Sequence, residues 1–236
     1  MADNHPYWDY YSRLTSILGS KSKSRAEAAR ELGELAGQAG LHSKDRFKLK
    51  LLTALPWLNK TAIEEIFFHS LREKFAYSNL SPEMLERLGE YSPLVELGAG
   101  NGYLAWLLRQ KGCDIVPIDA FPVEEGKNWF FNTNVFSLPT TEGKSFIEVK
   151  KGTSEALADY PNHTLLLCWP PINSMGKDAL RDFRGSTVIF VGNKKNCGEP
   201  TFYKMLKEHW ELIFSTKTGS WTRCHTEWME IYKRKA

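Results

Sequence analysis

The sequence predicts an α/β fold, a seven-stranded and mostly parallel sheet that ends in an antiparallel hairpin and is preceded by an all-helical extension. Three observations carry this. Residues up to about 90 show helical periodicity punctuated by capping signatures. After Pro93 short apolar runs alternate with helical stretches, as in a parallel sheet covered by helices on both faces. The last two strand candidates are joined by a short link containing Gly219 and no helix, so they should pair antiparallel at the sheet end.

In chain order, Ser24-Arg25-Ala26-Glu27 and Thr61-Ala62-Ile63-Glu64 each match the capping box that satisfies backbone donors at a helix start. Ser81 caps a further helix, with Pro82 in the first turn where its missing N–H is no loss, and Gly89 lies near its end. These features define a helical region over 1–90, expected to serve as a lid or as a substrate or partner region, and a sheet domain over 91–236. Strands are expected at Leu94–Leu97, Asp114–Asp119, Ser145–Val149, Thr164–Cys168, Ser186–Gly192, Glu211–Thr216 and Glu227–Lys233. Between them lie helices at about 102–110, 176–183 and 200–210, the first two stopped by Gly112 and Gly185.

Bulk composition narrows the function classes. With 236 residues, 42% of them hydrophobic, the chain can bury a full core without staples. Cys113, Cys168, Cys197 and Cys224 are far apart and form no C-x-x-C pair, which gives neither zinc-site nor disulfide spacing and implies reduced thiols and no metal. Met1 is followed by polar residues, and no apolar run approaches the roughly 18 residues of a membrane span, so a soluble cytoplasmic protein with no membrane partner is expected. A net charge of +3 does not demand nucleic acid. Basic residues do gather at Lys21, Lys23, Arg25 and Arg30 and again at Lys44, Arg46, Lys48 and Lys50, either as a solvated face or as a contact for a partner or nucleic acid.

The loop Glu96-Leu97-Gly98-Ala99-Gly100-Asn101-Gly102 ends one strand and opens a helix, so backbone N–H groups face whatever binds beyond the strand. The dinucleotide pattern G-x-G-x-x-G fails, because its third small position is Tyr103. Glu96 would repel a pyrophosphate but suits the ammonium of an amino-acid moiety. This E-x-G-x-G-x-G run resembles motif I of the class I S-adenosylmethionine-dependent methyltransferases, a Rossmann-like family. Cys168-Trp169-Pro170-Pro171 resembles their motif IV and, with Glu-Leu-Gly-Ala-Gly-Asn-Gly-Tyr, a subgroup that carries both.

The resemblance implies S-adenosylmethionine as cofactor. Gly98, Gly100 and Gly102 would let its methionine part lie on the backbone, with Glu96 at the methionine end. Asp119, twenty-one residues after Gly98, would bind the ribose hydroxyls. Thr153 or Ser154 stands where such enzymes often place an acidic residue against the adenine amino group. Cys168 flanks the site, and Tyr77, just upstream of the Ser81 helix, could close over the ligand.

Motif IV implies that Trp169 and Pro170 lie beside the reactive methyl group, although amine-methylating members have Asp or Asn where Trp169 stands. Without that polar residue, nucleobase or amide methylation is disfavoured, while the prolines still stiffen the turn. Trp169-Pro170-Pro171 reads equally as a rigid turn packing an indole. Should a hydroxyl acceptor need a general base, His225 is the first candidate and His163 the second, both of types common in plain turns. Aromatics at Trp129, Phe130, Phe131 and Phe136 interrupt a long connection and could line a pocket or fill core. The expected activity is methyl transfer to a small-molecule or peptide acceptor. The alternatives are a non-catalytic module of the same fold binding a protein or RNA partner, and an RNA or protein methyltransferase.

Overall fold

A computed structural model describes residues 4–123 and 145–235. The aromatic run Trp129, Phe130, Phe131 and Phe136 lies outside the described residues. The chain opens with helices α1 (Pro6–Gly19), α2 (Arg25–Gln38), α3 (Ser43–Ala54), α4 (Lys60–Lys74) and α5 (Pro82–Gly89). Ser24 completes its capping box with Glu27, and the Ser81 hydroxyl accepts from the Met84 N–H at 3.2 Å. Thr61 is not a cap. Asn59 takes that role one residue before the helix, its side-chain oxygen accepting from Ala62 N–H at 3.1 Å, so Thr61 already sits in the first turn.

The sheet is built from β1 (Leu94–Leu97), β2 (Ile115–Asp119), β3 (Lys150–Lys151), β4 (Thr164–Cys168), β5 (Thr187–Gly192), β6 (Trp210–Lys217) and β7 (Trp228–Arg234), in the order β3-β2-β1-β4-β5-β7-β6. The five strands from β3 to β5 run parallel; β7 pairs antiparallel with both β5 and β6, with a bulge at Leu212/Phe214. This is the predicted fold class. Helices α6 (Tyr103–Gln110), α7 (Met175–Asp182) and α8 (Pro200–His209) follow β1, β4 and β5.

The third strand is displaced from its expected place at Ser145–Val149 to the two exposed residues Lys150–Lys151, which pair with Ile118 and Asp119. The apolar residues upstream serve the glycine loop and α6 instead of a ladder. Phe146 donates its N–H to the Asn101 carbonyl at 2.8 Å and sets its ring 4.7 Å from that of Tyr103. Alternation along that segment therefore reflects packing against a helix start and not strand pairing.

Strand residues alternate between two cores, the period of two expected for a sheet buried on both faces. Leu166, Ile189, Val191 and Ile231 join one cluster with Tyr7, Leu14, Leu32, Leu35, Phe67 and Leu71 of the N-terminal helices. Leu165, Leu167, Val188 and Phe190 join the other with Leu180 and Phe202 from α7 and α8. The helical region is thus one of the sheet's two covering layers. Among the described residues no helix is long and apolar enough to cross a membrane.

Because β1 has β2 on one side and β4 on the other, the chain reverses direction across the sheet at β1, and a crevice opens at the carboxyl ends of β1 and β4.

Candidate functional site

A cavity of about 340 Å³ occupies that crevice, within the size range of small-molecule sites. Its floor is the loop after β1. Gly98, Gly100 and Gly102 all have positive φ, at 82°, 56° and 74°, where a side chain is strained. Their surroundings differ. A Cβ on Gly98 would meet the Met175 methyl at 3.1 Å, and one on Gly102 would meet Ile147 Cγ1 at 2.9 Å. A Cβ on Gly100 would meet nothing within 4 Å. Gly102 does not line the cavity and serves packing at the start of α6, whereas Gly100 faces open space over which a ligand can lie close to backbone.

Two carboxyls flank this loop. Glu96, on β1, is 2% exposed, and its Oε2 has no hydrogen-bond partner. Burial, with the Asp119 charge second, pushes its pKa up to about 8. Asp119 ends β2 and is held by two backbone donors, Gly100 N–H to Oδ2 and Phe121 N–H to Oδ1, each at 2.8 Å. A carboxylate offers about four lone-pair sites, so both oxygens keep capacity for a ligand's hydroxyls.

Thr153 and Ser154 line the far wall, where the chain leaves β3 and enters a 3₁₀ turn. The Ser154 hydroxyl is committed to Asp182 Oδ2 at 2.7 Å. On the other side stand Cys168 and Trp169 at the end of β4, and Ala76, Tyr77 and Ser78 from the segment joining α4 to α5. Burial drives the Cys168 thiol well above the usual range, which makes it an inert wall and not a nucleophile. Pro170 is buried and does not line the cavity, although Pro171 does. Trp169 has φ +52°, an outlier for a bulky residue, with its N–H bonded to the Val191 carbonyl at 2.8 Å.

Neither histidine reaches the cavity. His225 lies behind Trp169, ring centroids 5.0 Å apart, and stacks on Phe68 at 5.1 Å. Burial, then Arg72 and His69, lowers its pKa, which favours neutral imidazole. His163 precedes β4 and therefore sits at the opposite end of the sheet, against Tyr160.

The N-terminal helices shape this site from behind. His5 bridges the Tyr103 hydroxyl and the Leu80 carbonyl at 3.1 and 2.7 Å, anchoring α1 to the start of α6. Asn101, in the glycine loop, donates to the Phe75 carbonyl at 2.8 Å and so fixes the Ala76–Ser78 wall to the floor. Glu64 of α4, fully buried, accepts from the N–H groups of Arg223 and Cys224 at 2.8 and 3.0 Å and pins the link between β6 and β7. Glu227, 4% exposed, accepts from Ser78 Oγ and from the Trp169 indole N–H. Sequence reasoning missed Glu64, Asn101 and Glu227. An acid amid apolar neighbours, as at Glu64 in Ile63-Glu64-Glu65-Ile66, is the only local signal, and it does not reveal a partner 159 residues away.

No protein-family model matches the chain, and no curated protein sequence matches it. Among solved structures it is similar to magnesium protoporphyrin IX methyltransferase of Synechocystis PCC 6803, solved with bound SAM, at 14% identity over 92% of this chain and 100% of that one, with a TM-score of 0.42. It is also similar to the N-methyltransferase NodS of Bradyrhizobium japonicum WM9 in complex with S-adenosyl-L-homocysteine, at 12% identity over 65% and 85% of the two chains, TM-score 0.40. A third similar structure is TrmK of M. capricolum with S-adenosyl-homocysteine, at 11% identity over 66% and 70%, TM-score 0.39. These are resemblances only, and what the chain does has to be read from its own residues.

Proposed function

We propose that this chain is an S-adenosylmethionine-dependent methyltransferase acting on a small-molecule or peptide acceptor. The observation that supports it most is the buried Glu96 Oε2, which lacks a partner beside the open Gly100 backbone and one strand away from Asp119. A buried carboxyl left without a partner costs free energy unless a ligand supplies one, and an amino-acid ammonium is such a group. Asp119, already oriented by two backbone donors, suits a ribose diol. An ammonium and a ribose separated by the glycine loop match S-adenosylmethionine better than a dinucleotide.

When bound, that cofactor supplies an electrophilic methyl group on a sulfonium. The chain's own task is then alignment and exclusion of water. Glu96 holds the amino-acid end and Asp119 the ribose, Gly98 and Gly100 allow close approach, and Tyr77, Trp169 and Pro171 wall off the acceptor side. No histidine, lysine or arginine is among the described residues lining the cavity, so a base for a hydroxyl acceptor would have to be a carboxyl or phenol such as Asp178 or Tyr77, whereas an acceptor that is already a nucleophile, such as a neutral amine, fits without one. Calorimetric titration with S-adenosylmethionine and S-adenosylhomocysteine tests this. Micromolar binding that is lost in Asp119→Ala and Gly100→Trp supports the reading, and no binding to the wild-type chain overturns it.

One surface favours a second reading, a partner-binding module without chemistry. Phe47, Leu51 and Trp57 are 62%, 54% and 65% exposed beside the cations Lys44, Arg46, Lys48 and Lys50. Salt-sensitive binding of RNA or an acidic protein by a chain that ignores S-adenosylmethionine is its expected signature.

A further inference from the structure

We propose that Glu227 is a positioning residue that sets the acceptor end of the cavity by holding Trp169 and the Tyr77–Ser78 wall in fixed relation. This rests on the methyltransferase reading above. Glu227 stands immediately before β7 and never touches the cavity. Its two carboxyl oxygens go to two different walls, Oε1 accepting from Ser78 Oγ at 2.9 Å and Oε2 from the Trp169 indole N–H. These partners are 149 and 58 residues away in the chain. The Glu227 carbonyl also accepts from Thr218 N–H at 3.1 Å, which ties the carboxyl's own backbone to the end of the β6–β7 hairpin.

What it holds is a residue in a costly conformation. The left-handed backbone of Trp169 survives only where its surroundings over-determine it. They do so from both sides: the Tyr77 ring lies 5.6 Å away on the cavity side, and the His225 ring lies 5.0 Å away behind. With its one polar side-chain atom spent on Glu227, Trp169 has only ring surface left for the cavity. An acceptor is therefore read at Trp169 by apolar or stacking contact and not by a side-chain hydrogen bond. A hydrogen bond to a buried carboxyl, with water excluded as a competing partner, fits an anchor that must fix an angle.

The test uses the full chain. The indole N–H resonance of Trp169 in a ¹H–¹⁵N spectrum is identified by its loss in Trp169→Phe. In Glu227→Gln this resonance should move upfield and its hydrogen exchange should speed up by at least about tenfold, while affinity for S-adenosylhomocysteine stays within about threefold, because Glu227 is outside the cofactor grip. Methyl transfer in an acceptor screen should fall by about 100-fold, the cost of a small misplacement at a reacting centre, and Glu227→Asp should restore part of it. An indole resonance that does not move in Glu227→Gln overturns the proposal, as does a loss of cofactor affinity in step with transfer. Absence of S-adenosylhomocysteine binding by the wild-type chain overturns the underlying methyltransferase reading instead. Trp169→Phe, which keeps a ring but deletes the donor, should repeat the transfer defect if Glu227→Gln fails to fold.

Discussion

Cofactor binding should expel a proton from Glu96. With a pKa of about 8, its carboxyl is about nine-tenths protonated at pH 7, whereas an ammonium bound against it requires the ionised form. Ligand binding at pH 7 should then release about four-fifths of a proton, after subtracting the small uptake by a ligand amine whose own pKa is near 8. Ionising Glu96 at pH 7 costs about 1.4 kcal/mol, so affinity should rise close to tenfold from pH 6 to pH 7 and level off near pH 8. The assay is titration calorimetry at pH 7 in phosphate and in Tris, buffers whose ionisation enthalpies differ. A binding enthalpy that depends on the buffer in wild type and not in Glu96→Gln is the expected outcome. Identical enthalpies in both buffers for the wild type would falsify the claim that the cofactor's ammonium sits on Glu96.

The stability that Glu96 and Glu73 contribute should fall as pH rises from about 5 to 8. Glu96 and Glu73 are pushed from 4.5 to about 8 and about 7, so the folded state holds protons that the unfolded state has already lost. Their contribution is complete below pH 4.5 and is lost as pH passes through the folded values, while that of His5, His69 and His225, whose values burial lowers, runs the other way; the urea midpoint of wild type relative to Glu96→Gln should therefore decline from pH 5 to 8. The loop glycines should separate by assay. Gly102→Ala, with its Cβ 2.9 Å from Ile147, should lose about 2–4 kcal/mol of stability, while Gly100→Ala should lose only about 1–2 kcal/mol and give up at least tenfold in cofactor affinity. Equal stability losses in the two would refute that division. Leu32→Ala, in a fully buried helical-layer position, should destabilise the whole chain by about 2–5 kcal/mol in one transition seen alike by circular dichroism and fluorescence. Separate transitions would show that the helical layer folds apart from the sheet.

The sheet was legible because its signals are local. Leu94–Leu97 and Thr164–Cys168 are apolar runs bounded by breakers, and Gly219 marks the link that forces an antiparallel return. Ser24 and Ser81 announce helix starts because a cap lies beside the donors it satisfies. The misplaced third strand shows the limit of that kind of signal. Ile147 and Val149 alternate with Glu148 as in a strand, yet they and Phe146 pack on the glycine loop and α6, and a period alone does not name its partner.

The candidate site divides in the same way. Glu96, Gly98 and Gly100 stand together at one strand end and the turn after it, and Asp119 ends the next strand, so the motif resemblance could single them out. Their chemistry follows from residue type: a glycine frees the backbone and an acid accepts hydrogen bonds. What spacing could not reveal is which loop residue faces the cavity and which faces protein. That distinction between Gly100 and Gly102 depends on Ile147, more than forty residues away. Nor could it place His225 behind Trp169, or join Glu227 to Ser78 and Trp169 and Glu64 to the hairpin link. Those pairings exist because the helical layer and the β5–β7–β6 edge converge on one end of the sheet. Burial there removes water as a competing partner, so each carboxyl binds whatever donor the packing brings within reach.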